Sequence, residues 1–375
     1  MKILIAGDYC QRYRVDSLVK EKRFGELFDQ VKPIIASADY SIVNFEFPIV
    51  LNKKTAKPIP KCGPNLEGTI ESVAAIKYAG FKCCTLANNH ILDQGKQCCL
   101  DTKNELEKAG IDTVGVGANL GESSEYLLKQ INGENLAIIN CCEHEFSIAS
   151  ESEAGANPLN PIRQYYAILE AKKHADYVLV IVHGGHEHFQ LPSPRMLETY
   201  RFFIDAGADA VVNHHQHCYS GYEMYNGKPI FYGLGNFCFD KQGCRNSTWN
   251  EGYMVILSFE RQKIEYELTP YIQCNEKTTI DLVKDRTDFD KSIKSLNDII
   301  KDAETLNIEV NKYYQTCIKY ERMALEPYYG KVLSKLYSIG VLPNTIKGKK
   351  VNNILNHIEC ESHRDKILYA LKNDK

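Results

Sequence analysis

The sequence predicts a mixed α/β fold in which two packed β-sheets lie between helical layers, followed by a helical extension. Three observations predict it. Short apolar, β-branched runs alternate with helical spacings through the first third of the chain, which argues for a largely parallel, helix-covered sheet. Asn-Gly pairs at Asn132-Gly133 and Asn226-Gly227 then introduce hairpins. From about Leu282 the texture turns helical and Lys-rich to the end.

The elements follow in order. Lys2 to Ala6 reads as a first strand running into Gly7-Asp8. Phe24, Leu27, Phe28, Val31, Ile34 and Ile35 recur at helical spacing, so a helix is expected over Phe24 to Ala36. Ser41 to Phe45 is the second strand. Glu67 to Ala79 and Lys96 to Ala109 are helices, each stopped by a glycine, Gly80 and Gly110. Between them, Phe81 to Leu86 is a strand that ends at Ala87-Asn88-Asn89-His90, and Thr113 to Val116 is the next strand. Glu125 to Ile131 and Asn135 to Cys141 flank the first Asn-Gly turn. Alternation resumes with Ile162 to His174 (helix), Tyr177 to His183 (strand), Met196 to Ala206 (helix) and Ala210 to Asn213 (strand). Tyr219 to Tyr225 and Pro229 to Gly233 form the second hairpin, and Met254 to Phe259 and Ile264 to Tyr271 close the sheets. Asp288 to Glu304, Tyr313 to Ala324, Tyr328 to Ile339 and Val351 to Leu371 read as amphipathic helices without a chemical motif. The expected division is a main domain over 1–281 and a helical extension over 282–375.

Composition narrows the function. The chain has 375 residues, enough for one large core or for a main domain with a smaller addition. A net charge of −3, with no long block of one sign, gives no reason to expect nucleic acid or a membrane surface as partner. Several of the 14 cysteines are adjacent pairs, such as Cys83-Cys84 and Cys141-Cys142, and no CxxC spacing occurs. With no signal-peptide core at the start and no apolar stretch long enough to span a bilayer, reduced thiols and a cytoplasmic location are expected.

The sharpest chemical signal is Asn213-His214-His215-Gln216-His217, which follows a β-branched run. Residues two apart on a strand share a face, so His215 and His217 are expected to aim at one point if the strand continues that far, with His214 facing away. Four further segments bring polar groups to strand ends: Gly7-Asp8, Asn44-Phe45-Glu46, Asn88-Asn89-His90 and His183-Gly184-Gly185-His186-Glu187-His188. In open α/β sheets, ligands bind outside the carboxyl ends of parallel strands. Alone, Asp8 reads as a turn or cap residue and Asn88-Asn89 as a turn. Together the segments deliver carboxylate, amide and imidazole to one edge, a donor set that suits Mn, Fe or Zn rather than Ca. Without a Cys pair it looks catalytic rather than structural.

These segments resemble the CapA family of capsule and poly-γ-glutamate synthesis proteins. The resemblance is carried by Gly7-Asp8, Asn44-Phe45-Glu46-Phe47-Pro48, Lys61-Cys62-Gly63-Pro64 and Ala87-Asn88-Asn89-His90-Ile91-Leu92-Asp93-Gln94-Gly95. It is also carried by His183-Gly184-Gly185-His186-Glu187, by Gly207 to His217, and by Tyr232-Gly233-Leu234-Gly235-Asn236-Phe237. It covers roughly Met1 to Asp240 and leaves the tail uncovered.

The family is similar to calcineurin-like metallophosphoesterases. The resemblance therefore implies a four-layer α/β/β/α metallophosphoesterase-like sandwich with one or two divalent ions (Mn, Fe or Zn). It implies that Asp8 and His217 bind one ion, Glu46 bridges, and Asn89, His183 and His215 complete the second. His90 would be a general acid acting as imidazolium, oriented by Asp93, with Asn44 and Asn236 lining the site. Glu187 would accept a hydrogen bond from a ligand histidine. The superfamily's usual histidine two residues after the first aspartate is here Cys10, so the first ion is weakly furnished unless Cys10 or water fills in. The expected activity is phosphoester hydrolysis through a metal-activated water. The alternative is action on an anionic polymer or a γ-glutamyl amide.

Overall fold

The computed structural model describes residues 1–260 and 263–373. The chain divides into two compact units, Met1–Asn307 and Ile308–Lys375.

The first unit starts with β1 (Lys2–Cys10), α1 (Arg14–Lys20), α2 (Phe24–Phe28), α3 (Lys32–Ala36), β2 (Tyr40–Phe45), α4 (Glu71–Ala79), β3 (Cys83–Thr85), α5 (Lys96–Lys108) and β4 (Asp112–Val114). The single helix expected over Phe24 to Ala36 is two. Pro33 lies in the first turn of α3, where its missing N–H costs nothing, so the chain restarts there rather than continuing α2. The chain continues through β5 (Val116–Gly117), α6 (Leu120–Ser123), β6 (Leu127–Ile131), β7 (Glu134–Cys142), β8 (Gly155–Ala156), α7 (Pro161–Ala171), β9 (Tyr177–His183), α8 (Pro194–Asp205) and β10 (Ala210–His214). It closes with β11 (Tyr222–Tyr225), β12 (Lys228–Phe231), β13 (Asn236–Phe239), β14 (Glu251–Glu260), β15 (Lys263–Gln273), β16 (Ile280–Leu282) and α9 (Thr287–Lys301). Both Asn-Gly pairs adopt positive φ at both residues, the geometry of a type I′ hairpin turn.

Two sheets form the middle of the unit. One has the order β16-β15-β14-β1-β2-β3-β4, with β13 also on β1, and the other β11-β12-β10-β9-β7-β6. Strand alternation sorts the layers. Ile3, Ile5 and Ile42 meet Leu136, Ile138, Leu179, Ile181 and Val212 in a core between the sheets. Their neighbours Leu4, Ala6 and Val43 face away and pack with Val15, Leu27, Ile76 and Leu106 of the helices. Helices α7 and α8 pack on β7 and β10 on the far side of the second sheet. The result is a four-layer α/β/β/α sandwich.

The central strands β1, β2, β3, β9 and β10 point their carboxyl ends at one edge. Parallel pairing sets this: β1 pairs β2, β2 pairs β3, and β9 pairs β10 with His183 opposite His214. At that edge β1 is bulged between Asp8 and Tyr9 against β13. Gly7 makes the close approach possible, because a Cβ there would fall 1.8 Å from the Gly235 carbonyl oxygen. The bulge also interrupts the alternation that would put Cys10 on the same face as Asp8.

The second unit takes most of α10 (Ala303–Leu325), then α11 (Lys331–Ser338), α12 (Lys349–Glu359) and α13 (Glu361–Asn373). Its one buried carboxylate among the described residues is Glu326, which accepts hydrogen bonds from the backbone N–H groups of Thr345 and Ile346.

Replacing Gly7 by alanine is expected to push β1 off Gly235 and to lower the free energy of unfolding by about 1–3 kcal/mol. Denaturant unfolding of Gly7→Ala beside the parent measures it. An unchanged midpoint contradicts the close approach described here.

Candidate metal centre

The site is built at the carboxyl ends of five strands, from Asp8, Asn44, His183 and His214 within the strands and from the loops that follow them. Ligand atoms of Asp8, Glu46 and His183 lie within 4.8 Å of one another, all buried. Asn44 sits at their centre. Its Nδ2 donates to Asp8 Oδ1 at 2.8 Å and reaches Glu46 Oε2 and His183 Nδ1, both at 3.3 Å. Its Oδ1 faces Thr85 Oγ1 and Asn88 Nδ2, so the amide is fixed with its N–H groups toward the site.

Two chains of contacts spread from this centre. On one side, His183 Nε2 lies 3.1 Å from Asn89 Oδ1 and 3.1 Å from His215 Nδ1. On the other, His217 Nδ1 is 3.5 Å from Asp8 Oδ2 and its Nε2 is 3.6 Å from Glu46 Oε1. Asn236 orients that ring. Its Nδ2 donates to the carbonyls of His217 and Trp249, so its Oδ1 must accept from His217 Nδ1 at 2.9 Å. Nε2 is thereby left facing Glu46, with the ring held by its other nitrogen as outer hydrogen-bond partners hold metal-ligating histidines.

The histidine segment reaches this geometry by a route different from the expected one. Strand β10 stops at His214, and His215 and His217 hold φ of 91° and 55°. Strand alternation therefore does not align them; a left-handed loop does. Such backbone is uncommon outside glycine and clusters at functional sites. Gln216 braces the loop: its Nε2 donates to the carbonyls of Phe189 and Leu191, and its own carbonyl accepts from His188 N–H at 2.8 Å. His214 does not face away. It is 2 % exposed, and its Nδ1 lies 3.4 Å from Asp8 Oδ1.

The remaining expected residues fall in several places. His90 Nδ1 is 2.6 Å from Asp93 Oδ2, and Asp93 also takes the Lys61 ammonium at 2.6 Å and the Leu66 N–H at 2.6 Å. Burial holds the His90 imidazole below its ordinary value against the pull of Asp93. Glu187 is exposed and lies 3.9 Å from His188. Asn44, Asn89 and Asn236 orient the site histidines instead. Cys10 belongs to the apolar core of the helical side, with its thiol pushed well up by burial and then by Glu46. It is not among the converging ligand atoms.

Three contributors escape a reading of the sequence. Lys61 stands out there only as part of a motif, yet its side chain is 3 % exposed and is ion-paired with Asp93. Glu145 accepts from Asn89 Nδ2 at 2.6 Å. Trp249, the sole tryptophan, sets its ring 4.7 Å from that of His217. No local pattern marks Glu145 or Trp249, because each reaches the site from a loop distant in sequence.

The donor set fits a divalent cation. Glu46 Oε1 and both ring nitrogens of His214 are buried without a hydrogen-bond partner, and Asp8 and Glu46 place two carboxylates side by side out of water. Burial raises Glu46 well above the usual carboxylate range, and the Asp8 charge adds to this. Burial also works to raise Asp8, but the hydrogen bond from His217 and the nearby His214 and His183 outweigh it and hold Asp8 well below that range. Oxygen and imidazole donors in this mixture suit Mn, Fe or Zn.

Fold and site together define a layered α/β protein with a candidate metal centre at its strand ends. The chain belongs to the family of the bacterial capsule synthesis protein PGA_cap, whose model matches residues 2–241. It is 33% identical over 283 residues to the PGA biosynthesis protein CapA of Bacillus subtilis (strain 168), a match covering 74% of this chain and 73% of that protein. It is also 33% identical over 249 residues to the capsule biosynthesis protein CapA of Bacillus anthracis, covering 64% of this chain and 60% of that one. Among solved structures, a 5'-nucleotidase precursor from Thermus thermophilus aligns with a TM-score of 0.44 and 12% identity over 80% of this chain and 59% of that one. Among the described residues no helix is long and apolar enough to cross a membrane.

Burial of the site histidines predicts that the metal-free protein loses stability in acid. Burial lowers His183, His214 and His215 below the ordinary 6.5. Folding thus favours their neutral forms. Stability is full above that value and is lost as pH falls through it, because the unfolded chain takes up protons first. Each such group contributes a slope of up to about 1.4 kcal/mol per pH unit. Thermal unfolding of metal-stripped protein between pH 7.5 and pH 5 is expected to show a falling midpoint; a flat profile contradicts the buried, neutral assignment.

Proposed function

We propose that this protein is a metal-dependent hydrolase that cleaves a phosphoester. The observation that carries the reading is the convergence of Asp8, Glu46 and His183 within 4.8 Å, with Glu46 Oε1 left unpartnered. Asp8, Glu46, Asn89, His183, His215 and His217 are the residues that would hold one or two divalent ions. Such ions lower the pKa of water and offset charge on the non-bridging oxygens of a phosphoryl group. The resemblance to phosphoesterases supports phosphorus over carbon as the electrophile.

The protein's own groups supply the proton handling. Asp93 accepts from His90 Nδ1, which leaves Nε2 as the working nitrogen. As imidazolium, His90 would give its Nε2 proton to the leaving oxygen, and the water consumed in the hydrolysis would return one to the ring. Asp93 would stabilise the charged form of the ring. Lys61 holds the other oxygen of Asp93, so the carboxylate cannot rotate away from the imidazole.

A second reading has its own support. Relatives at 33% identity are named for capsule and PGA biosynthesis. A divalent cation binds carboxylate oxygens and polarises an amide carbonyl as well as a phosphoryl group, so the same centre could process an anionic polymer or a γ-glutamyl amide.

Phosphomonoesters, phosphodiesters and γ-glutamyl peptides assayed with added Mn discriminate the two. Turnover of a phosphoester is the expected result, and turnover of γ-glutamyl peptides alone rejects the first reading. In the expected case, His90→Ala lowers kcat by about 10²–10⁴-fold and leaves metal content unchanged. Asn89→Ala and His215→Ala lower metal content itself, measured by elemental analysis after dialysis. Parent-like metal in both variants places the centre elsewhere.

A further inference from the structure

Asn89 can serve as a ligand only through its oxygen, and its amide could present either end to the site. The nitrogen end is bound by Glu145: Asn89 Nδ2 lies 2.6 Å from Glu145 Oε2. An ionised carboxylate has no hydrogen to give, so the group facing it must be the NH₂. The oxygen is then forced toward His183 Nε2, 3.1 Å away. The far side of the same imidazole agrees, since Asn44 Nδ2 approaches His183 Nδ1, making Nδ1 the acceptor and Nε2 the N–H that meets Asn89 Oδ1.

The segment that carries Glu145 is docked where this control can be exerted. Glu143 N–H donates to the His183 carbonyl at 3.0 Å, and Ser147 Oγ donates to the Asn89 carbonyl at 2.8 Å. The Ser147 hydroxyl also accepts from Leu92 N–H, which ties the loop to the turn carrying Asn89 and His90. Glu143 and Glu145, with His144 between them, line one wall of a cavity of about 260 Å³ that opens onto Asn89, His183 and His215. The carboxylate of Glu143 is engaged by Arg195 at 2.5 Å, whereas that of Glu145 is spent on Asn89.

We propose that Glu145 is a positioning residue of the metal centre, fixing the Asn89 amide so that its oxygen faces His183 and His215. The proposal rests on the metal-centre reading above for its effect on ion binding, and on hydrogen-bond chemistry alone for the amide orientation. A residue that accepts at position 145 keeps the arrangement. One that only donates reverses it, turning the NH₂ group, which has no lone pair to offer, toward the site.

Three variants separate the cases: Glu145→Ala removes the acceptor, Glu145→Gln keeps one, and Glu145→Lys replaces it by a donor. Mn²⁺ is titrated into each metal-free protein, with Trp249 fluorescence as the signal. Alanine is expected to weaken Mn²⁺ binding by about 10–100-fold, lysine by at least as much, and glutamine is expected to stay near the parent. If the alanine variant does not fold, the contrast between lysine and glutamine gives the same answer. Parent-like Mn²⁺ affinity in both the alanine and lysine variants overturns the proposal.

The ¹⁵N shifts of the His183 ring in metal-free protein provide the second readout, because they report which ring nitrogen carries the proton. A change in Glu145→Lys with parent-like shifts in Glu145→Gln is expected, and identical shifts in all variants overturn the proposal. If the parent takes up no Mn²⁺ at all, the metal reading fails, and the ring shifts alone then decide the role of Glu145.

Discussion

Two carboxylates, Asp8 and Glu46, are buried side by side at the end of the first sheet, 1 % and 0 % exposed. Removing one ionised carboxylate from water costs several kcal/mol even after relaxation, and a neighbour of like charge adds to that. The surroundings answer with groups that carry positive character or can share a cation: the Asn44 amide, the His215 backbone N–H, and the rings of His183, His214 and His217. Some of these contacts, such as His217 to Glu46 at 3.6 Å, are longer than a hydrogen bond. The atoms converge without closing on one another, which leaves room for an ion between them.

The rest of the structure serves this constraint. Parallel pairing of the central strands brings the segments to one edge, where β1 is bulged after Asp8 and Gly7 lets it lie close against Gly235. The left-handed loop at His215 and His217 stores strain, and Gln216 restrains it from within. A frame of asparagines surrounds the converging ligands. Asn44, Asn89 and Asn236 each have one amide end bound to a group that can only accept, or only donate, in that place. Each therefore presents a defined atom to a histidine or carboxylate.

Much of the architecture is readable in the residues because it rests on local rules. Helix-ending glycines at Gly80 and Gly110, the Asn-Gly hairpins and the strand ending at His183 follow from turn and periodicity chemistry. The split of α2 from α3 is hidden because Leu27, Val31 and Ile35 keep helical spacing across the break and all reach the core. The placement of Asp8, Glu46 and His183 together is legible from strand ends. The orientation of His214 is not: strand alternation predicts its face only relative to neighbours, and the loop that follows departs from alternation. Lys61 and Glu145 are hidden for another reason. Their partners are Asp93 and Asn89, far along the chain, and only the folded loops show that these charges meet.

The central claim is that the strand ends hold a divalent ion between Asp8, Glu46 and His183. Anomalous scattering from crystals grown with Mn²⁺ tests it most directly. A peak is predicted within bonding distance of an oxygen of Asp8, an oxygen of Glu46 and a ring nitrogen of a site histidine. A peak elsewhere, or none at these residues while the protein remains folded, would contradict it.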